Sequence, residues 1–225
     1  IISSHSPDAI TRAVDVLNSG GLVGLPTETV YGLAARADND EAVAKIYIAK
    51  GRPSGHPLIL HISDISELHR YAARIPRAAL ALAQQCWPGP LTLLLHKTSE
   101  VSHVVTGGRD TVAIRVPAND CARKIIDLCG HAIAAPSANV FGHVSPSTAQ
   151  HVHDDLGDRV DLIVDDGNCS IGVESTIIDF TASHPQLLRP GGFPVEDIES
   201  IIGEKVYEPS GDARASGRLA PPYSP

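Results

Sequence analysis

Residues 50–61 read KGRPSGHPLILH: Lys50 and Arg52 one residue apart, a Pro/Gly-broken bend holding His56, then an apolar run carrying His61. A lysine offers a point charge and an arginine a rigid fork of donors, so the pair suits an anionic ligand with several oxygens. Similar polar groups recur at other predicted strand ends: Thr27-Glu28-Thr29, Thr111, Arg115, Pro136-Ser137-Ala138-Asn139, Ser175-Thr176 and Arg189. Ligands of open α/β sheets collect at strand ends. Taken singly, each cluster reads equally well as a cap or a solvated turn, because turns are rich in these residues. Their recurrence points instead to one site for a phosphate-bearing ligand.

Several chemistries are excluded. No G-x-x-x-x-G-K-[ST] or G-x-G-x-x-G run occurs, so a nucleotide would be held mainly by side chains. No G-x-S-x-G elbow occurs, and Ser137 and Ser175 have no evident base, which weighs against a serine nucleophile. Gly107-Gly108 reads as a tight turn. His151, His153, Asp154 and Asp155 fall on a predicted helix, where positions two apart face different directions, so no metal site is expected. His61 alternates with Leu60 and Ile62 on a strand; it reads either as a core histidine or as a ligand contact.

A formal charge of −8 and an aromatic content of 4% weigh against broad nucleic-acid binding, which needs clustered cations and stacking platforms. Any basic site is therefore local and suits a small anion. The four cysteines show no C-x-x-C pair, so no zinc site is expected. They read as free thiols of a reducing compartment, the cytoplasm. No apolar run approaches the ~18 residues of a membrane span, and no signal-peptide pattern opens the chain.

The elements that must position these groups alternate. SPDAITRAVDVLNSGG predicts a helix capped by Ser6, with Ala9, Ala13, Val16 and Leu17 on one face. DEAVAKIYIAKG, SELHRYAARI, PRAALALAQQCW, ANDCARKIIDLCG and STAQHVHDDLG predict further helices. LVGLP, PLILHIS, PLTLLLHK, TVAIRVP, AIAAP, DLIVDD, STIIDF and QLLRP predict strands. The pattern implies an α/β fold with a twisted mixed sheet flanked by helices. From about Val206 the chain loses periodicity and is rich in Pro, Gly, Ser and Ala, reading as a linker or flap. The expected organisation is one domain over 1–205 and a linker over 206–225.

PTETVYGL, KGRPSGHPLILHI, PGPLTLLL, VAIRVP, APSAN followed by SP, ESTIIDF and LLRPGG resemble, in order and spacing, the YrdC/Sua5 family of threonylcarbamoyl-AMP synthases. The match runs from about residue 8 to 203. The resemblance implies a large electropositive cavity on one side of the sheet. It implies a nucleotidyltransferase that converts L-threonine, bicarbonate and ATP to threonylcarbamoyl-AMP and pyrophosphate, with Mg²⁺ accompanying ATP. A partner threonylcarbamoyltransferase complex would then modify position 37 of tRNA.

By motif position, threonine would be bound by Thr29, His61, Arg115, Ala135 and Ser175. ATP would be bound by Arg52, His56, Thr111, Ser137, Asn139, Ser145 and Arg189, with Lys50 and Arg52 acting on the developing charge. His56 stands where members of the family often have Asn, and Pro222 precedes Tyr223 where longer members carry a His-Tyr pair. Two other readings are a related carbamoyl-adenylate enzyme fed by carbamoyl phosphate and an RNA-binding module. Dependence on threonine separates the first from the synthase, and salt-dependent RNA affinity would mark the second.

Overall fold

The computed structural model describes residues 1–209. The first half contains β1 (Ile2–Ser3), α1 (Ala9–Asn18), β2 (Val23–Leu25), β3 (Gly32–Arg36), α2 (Asp40–Lys50), β4 (Ile59–His61), α3 (Leu68–Tyr71), β5 (Ala72–Arg74), α4 (Arg77–Cys86) and β6 (Leu91–Lys97). The second half contains α5 (His103–Thr106), β7 (Thr111–Arg115), α6 (Asp120–Cys129), β8 (Ile133–Ala134), α7 (Ala149–Leu156), β9 (Leu162–Asp165), β10 (Thr176–Asp179), β11 (Gln186–Arg189) and α8 (Val195–Ile202). Among these, no helix is long and apolar enough to cross a membrane.

The strands form one sheet in the order β1-β9-β2-β3-β8-β4-β7-β6-β10-β11, with β5 added beside β6. β1–β9, β2–β9, β4–β7 and β6–β10 pair in parallel, and the other neighbours are antiparallel. The sheet is therefore mixed, as the alternation of elements implies.

Residue alternation along each strand divides the core between the two faces. Leu33, Leu60, Leu93, Val112, Ile114, Ile163 and Ile178 point to one face, under α2, α4, α7 and α8. Val23, Leu25, Ala34, Ile133, Leu162 and Val164 point to the other, under Ala13 and Leu17 of α1 and Ile125 and Ile126 of α6. Each fully buried Leu or Ile contributes about 1.5–3 kcal/mol. On this second face the helices stop at β8. Across β4, β7, β6 and β10, among the described residues, only a small cluster of Leu94, Ala113 and Ile177 forms, flanked by Ile59 and Leu188, with no helical residue in it. That bare half of the sheet is where a cleft opens.

Local chemistry sets most boundaries. Asn39, Asn119 and Thr148 cap α2, α6 and α7 by accepting from the backbone N–H three residues on. Gly51 ends α2 in the left-handed region (φ 62°), which a side chain would disfavour. Two expectations are corrected. The first helix starts at Ala9 and is flanked by Asp8, which makes no side-chain cap; Ser6 contributes only its backbone carbonyl. SELHRYAARI is helical only over Leu68–Tyr71, after a single 3₁₀ turn, and then becomes β5. There Ala72 and Arg74 pair with Lys97 and His96 of β6, so ladder pairing overrides alanine's helix propensity.

Candidate active site

The bare half of the sheet floors a cleft of about 510 Å³, lined by Thr27, Thr29, Arg52, Ile59, His61, Arg115, Ala135, Ser137, Glu174, Ser175 and Arg189, among others. Eight of the expected residues meet there: Thr29, Arg52, His61, Arg115, Ala135, Ser137, Ser175 and Arg189. Strand register explains how. His61 and Arg115 lie opposite each other on the parallel pair β4–β7, on the same face. Ser175 precedes β10, and its hydroxyl is 2.7 Å from that of Thr92 on β6. Three arginines against one carboxylate leave the lining net positive.

One wall is built around Arg115, which is 3% exposed. Its Nε donates to the Gly89 carbonyl (3.1 Å), one terminal nitrogen to Thr29 Oγ1 (2.8 Å) and the other to Glu28 Oε1 (2.6 Å). Thr29 Oγ1 is itself 2.9 Å from Thr27 Oγ1. His61 Nδ1 lies 3.3 Å from the Ile59 carbonyl, which can only accept, so Nδ1 carries the hydrogen and Nε2 the lone pair. Burial, reinforced by the charge of Arg115, pushes the His61 pKa down to about 3. His61 is thus a neutral acceptor beside a cation.

The other wall carries Arg189 and Arg52. Arg189 donates through Nε to the Ser175 carbonyl (3.0 Å) and through a terminal nitrogen to Ser175 Oγ (3.0 Å), and it pairs with Glu174 (2.7 Å). Glu174 also accepts from Ser145 Oγ (2.7 Å), so Ser145 reaches the cleft through that carboxylate. Gly191 passes so close that a Cβ there would sit 2.3 Å from the Glu174 carbonyl oxygen. The Arg52 guanidinium donates to the Pro57 carbonyl and stands 5.6 Å from the centre of the Phe141 ring.

Besides Ser145, four expected residues lie outside the lining. Lys50 is fully buried, with Nζ 2.6 Å from the carbonyls of both Ser137 and Asn139. Asn139 is also fully buried and donates to the Val140 and His143 carbonyls. The two residues brace the loop that presents Ser137. His56 packs edge-on against Phe141 (5.4 Å), and burial lowers its pKa. Thr111 opens β7 opposite His96, four residues and about 13 Å of strand from Arg115.

Glu174 was not singled out from sequence, and Glu28 was named only within the Thr27-Glu28-Thr29 cluster, without a role. The only signal for either was an acid embedded in a hydroxyl-rich strand end, TET or EST. Residues from 210 onward, including Tyr223 and most of the expected linker, lie outside the described residues.

The two histidines fix a direction for stability against pH. An unfolded histidine titrates near 6.5, but folded His61 does not take up a proton until about pH 3. Above pH 6.5 neither state is protonated. As pH falls below 6.5 the unfolded chain gains a proton that the fold refuses, so stability falls across pH 6.5 to 3, with His56 adding in the same direction. For His61 the slope approaches about 1.4 kcal/mol per pH unit. Urea midpoints of the wild type and His61→Gln between pH 6.5 and 5 should diverge by that slope; parallel curves would contradict it.

A cation-lined cleft on a half-covered mixed sheet defines the class, a small-molecule-binding α/β domain with no P-loop. The Sua5/YciO/YrdC family model, described as "Telomere recombination", matches residues 15–191, and the chain belongs to that family. A threonylcarbamoyl-AMP synthase of Pyrococcus abyssi is 49% identical over 222 residues, spanning 96% of this chain and 65% of the relative. One from Bacillus subtilis is 49% identical over 203 residues, spanning 90% and 58%. The crystal structure of P. abyssi Sua5 complexed with L-threonine superposes with a TM-score of 0.91 at 46% identity, spanning 97% of this chain and 64% of that one. The chain thus spans under two thirds of these relatives' length.

Proposed function

We propose that this chain is the adenylate-forming part of a threonylcarbamoyl-AMP synthase, joining L-threonine, bicarbonate and ATP and releasing pyrophosphate. The observation that carries the reading is one cleft whose lining gathers three arginines with hydroxyls and a neutral histidine. On this reading Arg115, Thr29, His61 and the Ala135 backbone would take a small carboxylate-bearing substrate, and Arg52, Arg189 and Ser137 a triphosphate. The names and the threonine complex of the relatives support the same assignment.

In this mechanism two N–H bonds of Arg115 remain for the threonine carboxylate after its three internal bonds. Thr29, Ser175 and the Ala135 carbonyl orient the amine and hydroxyl. The neutral His61 accepts a hydrogen bond through Nε2 and stores no proton at working pH. The threonine amine bonds to the carbon of carbon dioxide and gives up a proton, or to that of bicarbonate as a C–O bond breaks and water leaves, forming a carbamate. A carbamate oxygen then bonds to the α-phosphorus, and the bond to the β,γ-pyrophosphate breaks.

No protein nucleophile is needed, in keeping with Ser175, whose hydroxyl is already bonded to Thr92 and Arg189. Alignment of the two reactants supplies much of the acceleration. Arg52 and Arg189 offset charge on the leaving phosphates.

Mg²⁺ fits this cleft only as a companion of ATP. Among the described residues Glu174 is the sole carboxylate in the lining and is shared by Ser145 and Arg189. The triphosphate oxygens and water would supply the other ligands, and the ion would offset phosphate charge. The downstream partner is a transferase that delivers the threonylcarbamoyl group to tRNA. A cytoplasmic setting fits such a reaction.

The test is pyrophosphate release from ATP with and without L-threonine and bicarbonate, with L-serine as control. Release that requires both and is strongest with threonine is expected. Release driven by carbamoyl phosphate instead would assign the chain to the carbamoyl-adenylate reaction.

A further inference from the structure

Glu28 is a buried carboxylate behind the lining of a cleft suited to anions. It is 9% exposed and makes three bonds to two separate segments. Oε1 accepts from Arg115 (2.6 Å), Oε2 accepts from the Ala118 N–H in the turn after β7 (3.0 Å), and its backbone carbonyl accepts from the Ile171 N–H (2.8 Å). The Ile171 segment runs on to Glu174 and Ser175, which line the cleft.

A cleft that bound its substrate by net charge alone would do better without this acid, which cancels the charge of Arg115 within 3 Å and itself costs desolvation. The acid therefore serves geometry. Gly89, Thr29 and Glu28 take three of the five guanidinium N–H bonds from three directions and lock the plane of the fork. The neutral acceptors on Gly89 and Thr29 each hold only one corner. Glu28 adds the charge-assisted bond and, through Ala118, ties the fork to the strand that carries it.

We propose that Glu28 is the positioning residue for amino-acid recognition, fixing the two remaining N–H bonds of Arg115 toward the substrate carboxylate. It acts through Arg115 and is not a lining residue. This inference rests on the reading of Arg115 as the threonine anchor. Glutamine cannot replace it: with its oxygen toward Arg115, its NH₂ would face the Ala118 N–H, donor against donor.

The experiment compares wild type, Glu28→Gln and Glu28→Asp by calorimetric binding of L-threonine and of ATP. It also follows the Arg115 Nε–H resonance by NMR in the ligand-free protein. Glu28→Gln is expected to weaken L-threonine binding about 30-fold while leaving ATP within twofold, and to speed solvent exchange of Nε–H. Glu28→Asp keeps the charge but is one methylene short. It should fall between the two, and it carries the test if the Gln variant does not fold.

Unchanged threonine affinity, or equal weakening of both ligands, would overturn the proposal; the second outcome would mark a merely structural acid. Wild type that binds ATP but no L-threonine would remove the threonine reading itself. The Nε–H exchange would still report whether Glu28 holds the fork.

Discussion

Arg115→Ala is expected to lower kcat/KM for L-threonine by about 10³-fold, the loss of two charge-assisted bonds made to a carboxylate in a dry site. The same change should also lower stability. It leaves Glu28 buried with its charge uncompensated, a situation that costs about 3–5 kcal/mol. For a chain of this size that corresponds to a fall of roughly 10 °C in melting temperature. The two losses have different owners and separate in a double variant. Arg115→Ala with Glu28→Gln removes the orphaned charge, so most of the stability should return while activity does not. Thermal melts and pyrophosphate-release kinetics on the wild type and the two variants decide the matter. Activity within tenfold of wild type in a folded Arg115→Ala protein would remove Arg115 from substrate binding.

That pairing also explains what the sequence could and could not disclose. The C-terminal ends of α2 and α6 were legible because Gly51 and Gly130 stop them in the left-handed region, whereas the caps of Asn39, Asn119 and Thr148 went unread and Ser6 was read as a cap it does not make. The convergence of Arg115, Ser175 and Arg189 was legible as chemistry recurring at strand ends, which a parallel β4–β7 pair and a neighbouring β10 bring to one face. What stayed hidden depends on contacts distant in sequence. Glu28 meets Arg115 across 87 residues, and Lys50 reaches the Asn139 carbonyl across 89. No local pattern says whether a cation will face a ligand or spend its hydrogens on a loop. The same holds for β5, whose Ala-Ala-Arg is helical by propensity and extended only because β6 offers it a partner.

Lys50 leads to the last expected result, in which stability and activity move in opposite directions. It is the final residue of α2, where a cation complements the helix dipole. Its Nζ holds the Ser137 and Asn139 carbonyls, and its own carbonyl accepts from the Phe141 N–H (2.8 Å). Burial, with the charge of Arg52 second, lowers its pKa to about 7. An unfolded lysine titrates near 10.4. Below pH 7 both states carry the proton. Between pH 7 and about 10 the unfolded chain holds a proton that the fold has released, so stability rises with pH, approaching 1.4 kcal/mol per unit.

Activity runs the other way. The ammonium supplies three hydrogens for the oxygens around it and places Ser137 in the cleft. A neutral amine supplies two, so kcat/KM should fall about tenfold per pH unit above 7. Lys50→Met keeps the length and loses the charge. Two buried carbonyls then lack a donor, at about 1–3 kcal/mol each, but the cost of burying an ammonium disappears, so the net change in stability should be small. Loosening the loop that presents Ser137 should nevertheless lower kcat/KM at pH 7 by about 10²-fold. The variant should also lose the rise in stability above pH 7. Denaturant midpoints and kcat/KM across pH 6.5–9 for the two proteins provide the measurement. A Lys50→Met enzyme that keeps its rate and the wild-type pH profile would show that the buried charge serves folding alone.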